Sequence, residues 1–589
     1  MPTVHIMHPN VSNVFPGTEP DFVTFKTLLE QLSLTDALMF CLRVNHIMTE
    51  WNKDHEEKQK NLARLFFSEE ETKRLFSGSP RISSFKELAI TTRGPMTLLA
   101  RWIAMFCEDR EGDGKTFENA AMRQVFAKAM LIADQIWQES MQMERMLENV
   151  PLEEARHNLL CTFRQNSAGS HTPTQHGSMS LGKGYSMFID PSYFTNQHKE
   201  FAEQFLQVTG ISIEDYYICL AYVASNLDGK IDGKAFFAYQ QAVDSVAEEF
   251  RPIFAKFLDL ESQVAIELKE SFWGDTKKES LNDFSDAPPF NDRALRTKPF
   301  FKTQDGRIMI IDPTLFFDKI TDGPLFTLFQ VGKAEYFFQQ FGYAFEEFVH
   351  DYLKKIYPTS PLNDRLSCPL MREPIGREPA PVELTDGCLD YGEEMILFEI
   401  KATFLRQDNI VGNDNDKYIA MLRERYVMTP DGEAKGVTQL ANTIIGLEKG
   451  QYQAVGRDFS KVKKVFPVLL VHDGLIDAPM HPYFFAKEFV TALKPDEILP
   501  NGFLKKGRYL VAPMTLMTLE DLENFEFPIR KKGFSLRDAF QRYVEISPDR
   551  LESFRNFCVS AQYQPYAGQI FAQKNLDIIA KARARLFPK

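Results

Sequence analysis

The chain has 589 residues, 44% of them hydrophobic and 25% charged, with a formal net charge of −13. This is ordinary globular composition at a length that suggests two or more domains. A wholly acidic surface would repel nucleic acid, so any such binding requires a local basic patch. Seven cysteines (Cys41, Cys107, Cys161, Cys219, Cys368, Cys388 and Cys558) are scattered without a CxxC pair. That spacing points away from a zinc module and from a disulfide framework, and fits a reducing compartment. The first residues, M-P-T-V-H-I-M-H-P-N, lack a basic start and an apolar signal core. With no uncharged apolar run long enough to span a bilayer, the expectation is a cytoplasmic protein with no membrane partner.

Residues 1–164 read as a helical N-terminal region. Phe25–Thr49, Ala89–Cys107 and Glu118–Trp137 carry apolar residues at helical spacing, and Pro95 after Gly94 suits the start of a helix. Nothing here resembles a catalytic constellation, which leaves core packing and association with protein partners or a second copy. Residues 165–184, rich in Ser, Gly, Thr and His, read as a flexible loop or linker. His171 and His176 within it read as loop histidines rather than a metal pair. Residues 185–285 return to helical patterning. Their L-D-G-K-I-D-G-K stretch resembles a calcium loop but lacks the full ligand series and closing glutamate, and two Asp-Gly turns explain it. Residues 286–328 predict a β-hairpin turning at Asp305-Gly306, with a connector. Residues 329–589 alternate helices and strands, the pattern of an α/β unit, with a helical C-terminal extension.

The candidate chemistry lies in Asp386–Lys401, D-G-C-L-D-Y-G-E-E-M-I-L-F-E-I-K. Val382–Leu389 and Met395–Lys401 predict successive strands, with Asp390–Glu393 turning the chain between them. Period-two alternation puts Glu399 and Lys401 on one face with Met395 and Leu397, and Ile396, Phe398 and Ile400 on the other. Two apolar faces mean a central strand covered on both sides, so its charged end should open on a cleft. Asp386 and Glu399 offer oxygen ligands of the kind Mg²⁺ or Mn²⁺ prefers, and the Ile400 carbonyl between the charged side chains offers another. Lys401 is placed to orient an attacking water or to stabilise charge on a phosphate.

Asp386 with E-I-K at Glu399–Lys401 resembles the PD-(D/E)xK nuclease superfamily, the restriction-endonuclease-like fold, with Thr385 where the motif's proline stands. The resemblance covers approximately Phe329–Val471. It implies a mixed β-sheet core flanked by helices and an acidic residue on the helix before the catalytic hairpin. Within F-G-Y-A-F-E-E-F-V-H-D-Y-L-K-K that residue is Glu346, with Glu347 the adjacent alternative. It also implies a helix after the E-x-K strand, here K-G-V-T-Q-L-A-N-T-I-I-G-L with Gln439, and a next core strand at Phe466–Val471. Asp390 is the alternative acidic position, set aside because it belongs to the turn. The implied metal ligands are Asp386, Glu399, Ile400 and Glu346. Candidate phosphate contacts are Lys417, Arg423 and Arg425, and a second cluster at Lys461, Lys463 and Lys464. His350 lies one turn beyond Glu346, and His472-Asp473 follows the later strand. No Walker loop, Rossmann glycine series or serine-hydrolase elbow competes.

The expected fold is thus multidomain, a helical N-terminal region with a C-terminal α/β nuclease core. The expected function is Mg²⁺- or Mn²⁺-dependent phosphodiester hydrolysis, in DNA ahead of RNA, in antiviral defence or genome maintenance. The alternative is a non-catalytic scaffold or nucleic-acid-binding subunit retaining the architecture.

Overall fold

A computed structural model describes residues 7–50, 53–76, 84–110, 118–140, 156, 159–160, 177–196, 198–227, 236–288, 292–330, 335–357, 365–367, 372–374, 381–383, 385–403, 415–451, 459–472, 474–476, 480–532, 535–561 and 569–588. His171, His176, the Asp-Gly-Lys repeat at 228–234, and Asp473 lie outside them. Among the described residues the chain is mostly helical, with mixed sheets in its C-terminal half.

The N-terminal core forms around α1 (Leu34–Thr49), α2 (Arg93–Phe106) and α3 (Ala120–Ser140). Ser33 caps α1 by accepting the Asp36 N–H, which satisfies one of the amides a helix start leaves open. Pro95 sits in the first turn of α2, where no intrahelical N–H is lost. Beside it Gly94 lets Trp137 of α3 approach so closely that a Cβ would lie 2.5 Å from the indole. Trp102 anchors an aromatic cluster with Phe22, Phe25, Phe106 and Trp273. Burial of each such ring stabilises by roughly 2 kcal/mol.

Residues 177–184, read from composition as part of a linker, instead belong to α4 (Gly177–Phe188), which buries Leu181 and Tyr185. Its glycines serve close packing rather than flexibility. A Cβ on Gly182 would meet the Phe571 carbonyl at 2.5 Å, and tertiary contact of this kind overrides the low helix propensity of glycine. After α5 (Ile213–Leu227), the segment 185–285 also contributes β1 (Phe236–Ala238) and β2 (Ser262–Gln263), so it is not wholly helical. The hairpin at Asp305-Gly306 forms from β3 (Phe300–Lys302) and β4 (Arg307–Ile310), and the four strands order β1-β4-β3-β2. Phe300, Ile308 and Ile310 enter one core, while Phe301, Met309 and Ile311 enter the N-terminal one. The small sheet is therefore the partition between two cores.

Next come α6 (Pro313–Gln330) and α7 (Glu335–Ile356), then β5 (Arg365–Ser367), the separate hairpin of β6 (Arg372–Pro374) and β7 (Pro381–Glu383), β8 (Gly387–Asp390) and β9 (Glu394–Lys401). After β9 the chain forms α8 (Asn415–Tyr426), α9 (Gly436–Glu448), β10 (Lys464–Val471) and α10 (His481–Leu493). Strands β11 (Glu497–Ile498), β12 (Leu504–Lys506), β13 (Tyr509–Val511) and β14 (Thr515–Thr518) precede α11 (Leu519–Lys532) and α12 (Gln569–Leu586). The large sheet runs β11-β12-β13-β10-β9-β8-β5, with β14 also pairing β10. β9 is central, antiparallel to β8 and parallel to β10. Met395 and Leu397 pack towards α8, α9 and α10, while Ile396, Phe398 and Ile400 pack towards α7 and α11. This core runs continuously from Leu181 to Leu586, so regions 185–285 and 329–589, separate by sequence pattern, share one interior. No helix among the described residues is long and apolar enough to cross a membrane.

Candidate active site

Asp386, Glu399 and Lys401 meet at the C-terminal end of β9. Glu399 and Lys401 alternate onto the same side of the strand. The Lys401 ammonium lies 3.0 Å from Glu399 Oε2 and 3.4 Å from Asp386 Oδ2. Asp386 stands immediately before β8 rather than inside a strand, as the sequence pattern had it. From there its Oδ2 accepts the Ile400 N–H at 2.7 Å, so the side chain continues the ladder where the backbone has turned away. A strand residue directs its N–H and C=O to the same edge, so the Ile400 carbonyl also faces the Asp386 side. Thr385 donates its hydroxyl to the Phe398 carbonyl at 2.6 Å and fixes the approach to the aspartate.

Asp390 occupies the far end of the hairpin. It is the last residue of β8, opposite Met395, and its carboxylate accepts the Gly392 N–H of the turn at 2.8 Å. Glu346 is half-buried on α7, close enough that its charge, with those of Asp386 and Glu399, raises the Lys401 pKa although burial alone would lower it. Glu347 is exposed. One turn beyond Glu346, His350 donates from Nε2 to the Asp386 backbone carbonyl, which requires the tautomer protonated at that nitrogen. The sequence offered His350 either as a hydrogen-bonding group for substrate or as a helix-packing residue. Its partner, 36 positions away, was not readable from spacing.

Helix α9 starts against Lys401. A Cβ on Gly436 would lie 3.6 Å from Lys401 Cε and 2.8 Å from the end of the Leu469 side chain, so the helix start packs directly on the lysine stem. Gln439 follows one turn later on the same face, and its buried Oε1 has no hydrogen-bond partner among the described residues. His472 donates its backbone N–H to the Lys401 carbonyl. Its ring turns away to Asp322 at 3.3 Å, edge-on to Phe341 and Phe345.

The basic candidates divide. Arg425 lies half-buried on α8 just before Tyr426, whose hydroxyl donates to the carbonyl of Thr403, two residues past Lys401. On the same helix Lys417 is exposed, and Arg423 pairs with Glu488 at 2.9 Å. Lys461, Lys463 and Lys464 do not join this site. Parallel pairing sets Lys464 beside Glu394, seven residues and roughly 23 Å along β9 from Lys401. Lys463 is paired to Glu393 and Lys464 to Glu394.

Burial, and then the neighbouring Asp386 charge, push the Glu399 carboxyl well above the usual carboxylate range against the pull of Lys401. With both carboxylates ionised against one ammonium the site is net negative, a state that a bound cation stabilises. Among the described residues no group of three or more Asp, Glu, His or Cys side chains is placed to hold a metal ion. The donors at the site are oxygens, two carboxylates and a strand carbonyl, and that chemistry fits Mg²⁺ or Mn²⁺ rather than zinc. No family model, curated protein or solved structure matches the chain.

Proposed function

We propose that this protein is a metal-dependent nuclease of the PD-(D/E)xK type, acting on DNA ahead of RNA. The observation that carries the reading is the convergence of Asp386, Glu399 and Lys401 at one strand end, with both carboxylates on the same ammonium. The antiparallel β8–β9 hairpin beside a parallel β10, with α7 before it and α9 after it, supports the reading, since the resemblance implies elements in that order.

In this reading Asp386, Glu399, the Ile400 carbonyl and Glu346 are the groups that would hold Mg²⁺, which would supply Lewis-acid activation of the phosphodiester and of water. Asp386 is oriented by the Ile400 N–H and His350, so its carboxylate is aimed before any ligand arrives. Lys401, held protonated, orients the attacking water or stabilises the negative charge building on the phosphoryl group. Gln439 offers its amide at the α9 side of the same lysine. Antiviral defence or genome maintenance is the biological setting that the family resemblance implies.

One observation favours a second reading, a non-catalytic scaffold: Lys401 already neutralises part of the carboxylate pair without an ion. The deciding experiment compares wild type, Glu399→Ala and Lys401→Ala on single- and double-stranded DNA and RNA, with Mg²⁺, Mn²⁺ or EDTA. The nuclease reading expects cleavage by wild type alone, abolished by EDTA. Equal cleavage by all three proteins, or none by any, favours the scaffold.

A further inference from the structure

The helix that carries Glu346 also presents a stripe, exposed at Tyr336, Tyr343 and Lys354, that meets the site only at the half-buried His350. On α7, Tyr336 and Tyr343 are 56% and 58% exposed, unusual for large aromatic side chains. At 3.6 residues per turn, Tyr336, Tyr343, His350 and Lys354 lie within about 40° of one another on the helix surface, with Glu346 about 60° to one side. Because His350 touches the Asp386 carbonyl, the stripe borders the candidate site at that residue. Past that point it reaches an open groove of about 440 Å³ lined by Asp351, Lys354, Lys355, Arg530 and Ile570. Lys354 is exposed and pairs at 3.4 Å with Asp351, whose other oxygen takes the Tyr193 hydroxyl. Lys355 is exposed and makes no ion pair among the described residues. Arg530, one-third exposed, is braced at 3.0 Å by the buried Glu526.

We infer that α7 is a track for one strand of single-stranded DNA, whose bases stack on Tyr336 and Tyr343 and whose phosphates enter the Lys354–Lys355–Arg530 groove, on either side of the Asp386–Glu399 centre. The inference rests on the nuclease reading and names its substrate class. Exposed rings in line with a cationic groove form the combination that binds single strands: each base has a face to stack, and the backbone carries the charge. In a duplex those faces are already stacked on one another. From Tyr336 to Lys354 the stripe spans about 27 Å at 1.5 Å per residue, long enough for several nucleotides. Glu347, exposed beside Tyr343, opposes the polyanion, so Glu347→Gln should tighten binding.

The test measures fluorescence anisotropy in EDTA with a dye-labelled oligothymidylate of about 20 nucleotides, longer than the ~16 that bound sites reach, a DNA hairpin duplex and an oligouridylate. Thermal melts check that each variant is folded. Tyr343→Ala is expected to weaken oligothymidylate binding roughly five- to hundred-fold while changing duplex binding less than about twofold, and Tyr343→Phe to restore it. Lys354→Ala with Lys355→Ala should weaken binding to both DNAs and lower the salt slope on single strands by about 0.7 per lysine. Unchanged oligothymidylate affinity in the tyrosine variants, tighter binding of duplex, or preference for oligouridylate overturns the track. Mg²⁺-dependent cleavage by wild type, unaffected by the tyrosine changes, would leave the nuclease reading standing without the track. Tyrosine-dependent binding with no cleavage by wild type would do the reverse.

Discussion

Replacing Lys401 with methionine keeps the length of the side chain and removes the charge that two buried carboxylates share. At an effective dielectric near 20, charges separated by the observed 3.0 and 3.4 Å attract by ~5 kcal/mol each. The desolvation of the lysine counts against that sum, and truncating one partner of a buried ion pair leaves a net loss of ~3–5 kcal/mol. The loss should depend on pH in a definite direction. Glu399 already titrates above its ordinary range, and without Lys401 its folded pKa rises further. A carboxyl whose folded pKa exceeds the unfolded value contributes stability that is present below the unfolded pKa and lost as pH rises through the folded one. The penalty is therefore expected to grow as pH rises and Glu399 ionises, while the part that comes from the lost Asp386 pair persists when Glu399 is protonated. Urea denaturation at pH 5, 6.5 and 8, monitored by tryptophan fluorescence, gives the difference directly. A penalty under about 1 kcal/mol that does not change with pH would refute the picture of a buried carboxylate pair held by this lysine.

Two further predictions concern the interior beneath the site. Glu523 is buried, 3.2 Å from Lys183, and burial with the charges of Glu520 and Glu526 pushes its carboxyl up to about 7 despite that lysine. Its stabilising contribution should be complete below its ordinary pKa of 4.5 and lost as pH rises through about 7, up to ~3 kcal/mol. Glu523→Gln should flatten the urea midpoint between pH 5 and 8, and a variant as pH-sensitive as wild type would count against this assignment. Gly182→Ala places a methyl 2.5 Å from the Phe571 carbonyl and 2.9 Å from Asn575 Oδ1, forcing α4 away from α12 at a cost of ~1–3 kcal/mol. The urea midpoint should fall with little change in slope, and an unshifted midpoint would mean the two helices separate freely.

Strand β9 was legible in the sequence because it obeys period-two alternation strictly, whereas the single strand expected over Val382–Leu389 divides between β7, which pairs with β6, and β8, which pairs with β9. Met395, Leu397 and Glu399 fall on one face and Ile396, Phe398 and Ile400 on the other, each set joining a different core. The hairpin at Gly306 was legible because Asp-Gly followed by a positive backbone angle is a local preference. The helix at Gly177–Phe188 was not, since glycine and serine are poor helix formers on their own. Only contact with α12, distant in sequence, gives Gly182 its reason.

The same division holds at the site. Residue identity and alternation put Glu399 and Lys401 on one face at one strand end, because those signals are local, and the pairing of β8 with β9 is what brings Asp386 to them. Tertiary structure decided that Asp390 ends β8 at the far end of the hairpin, that Lys461, Lys463 and Lys464 lie at the opposite end of the sheet, and that His350 and Gly436 come against Asp386 and Lys401. Those facts depend on strand direction and on which helix crosses which strand. A parallel β9–β10 pair carries Lys464 to the far end and an antiparallel one would not, and nothing in the spacing of either segment distinguishes the two.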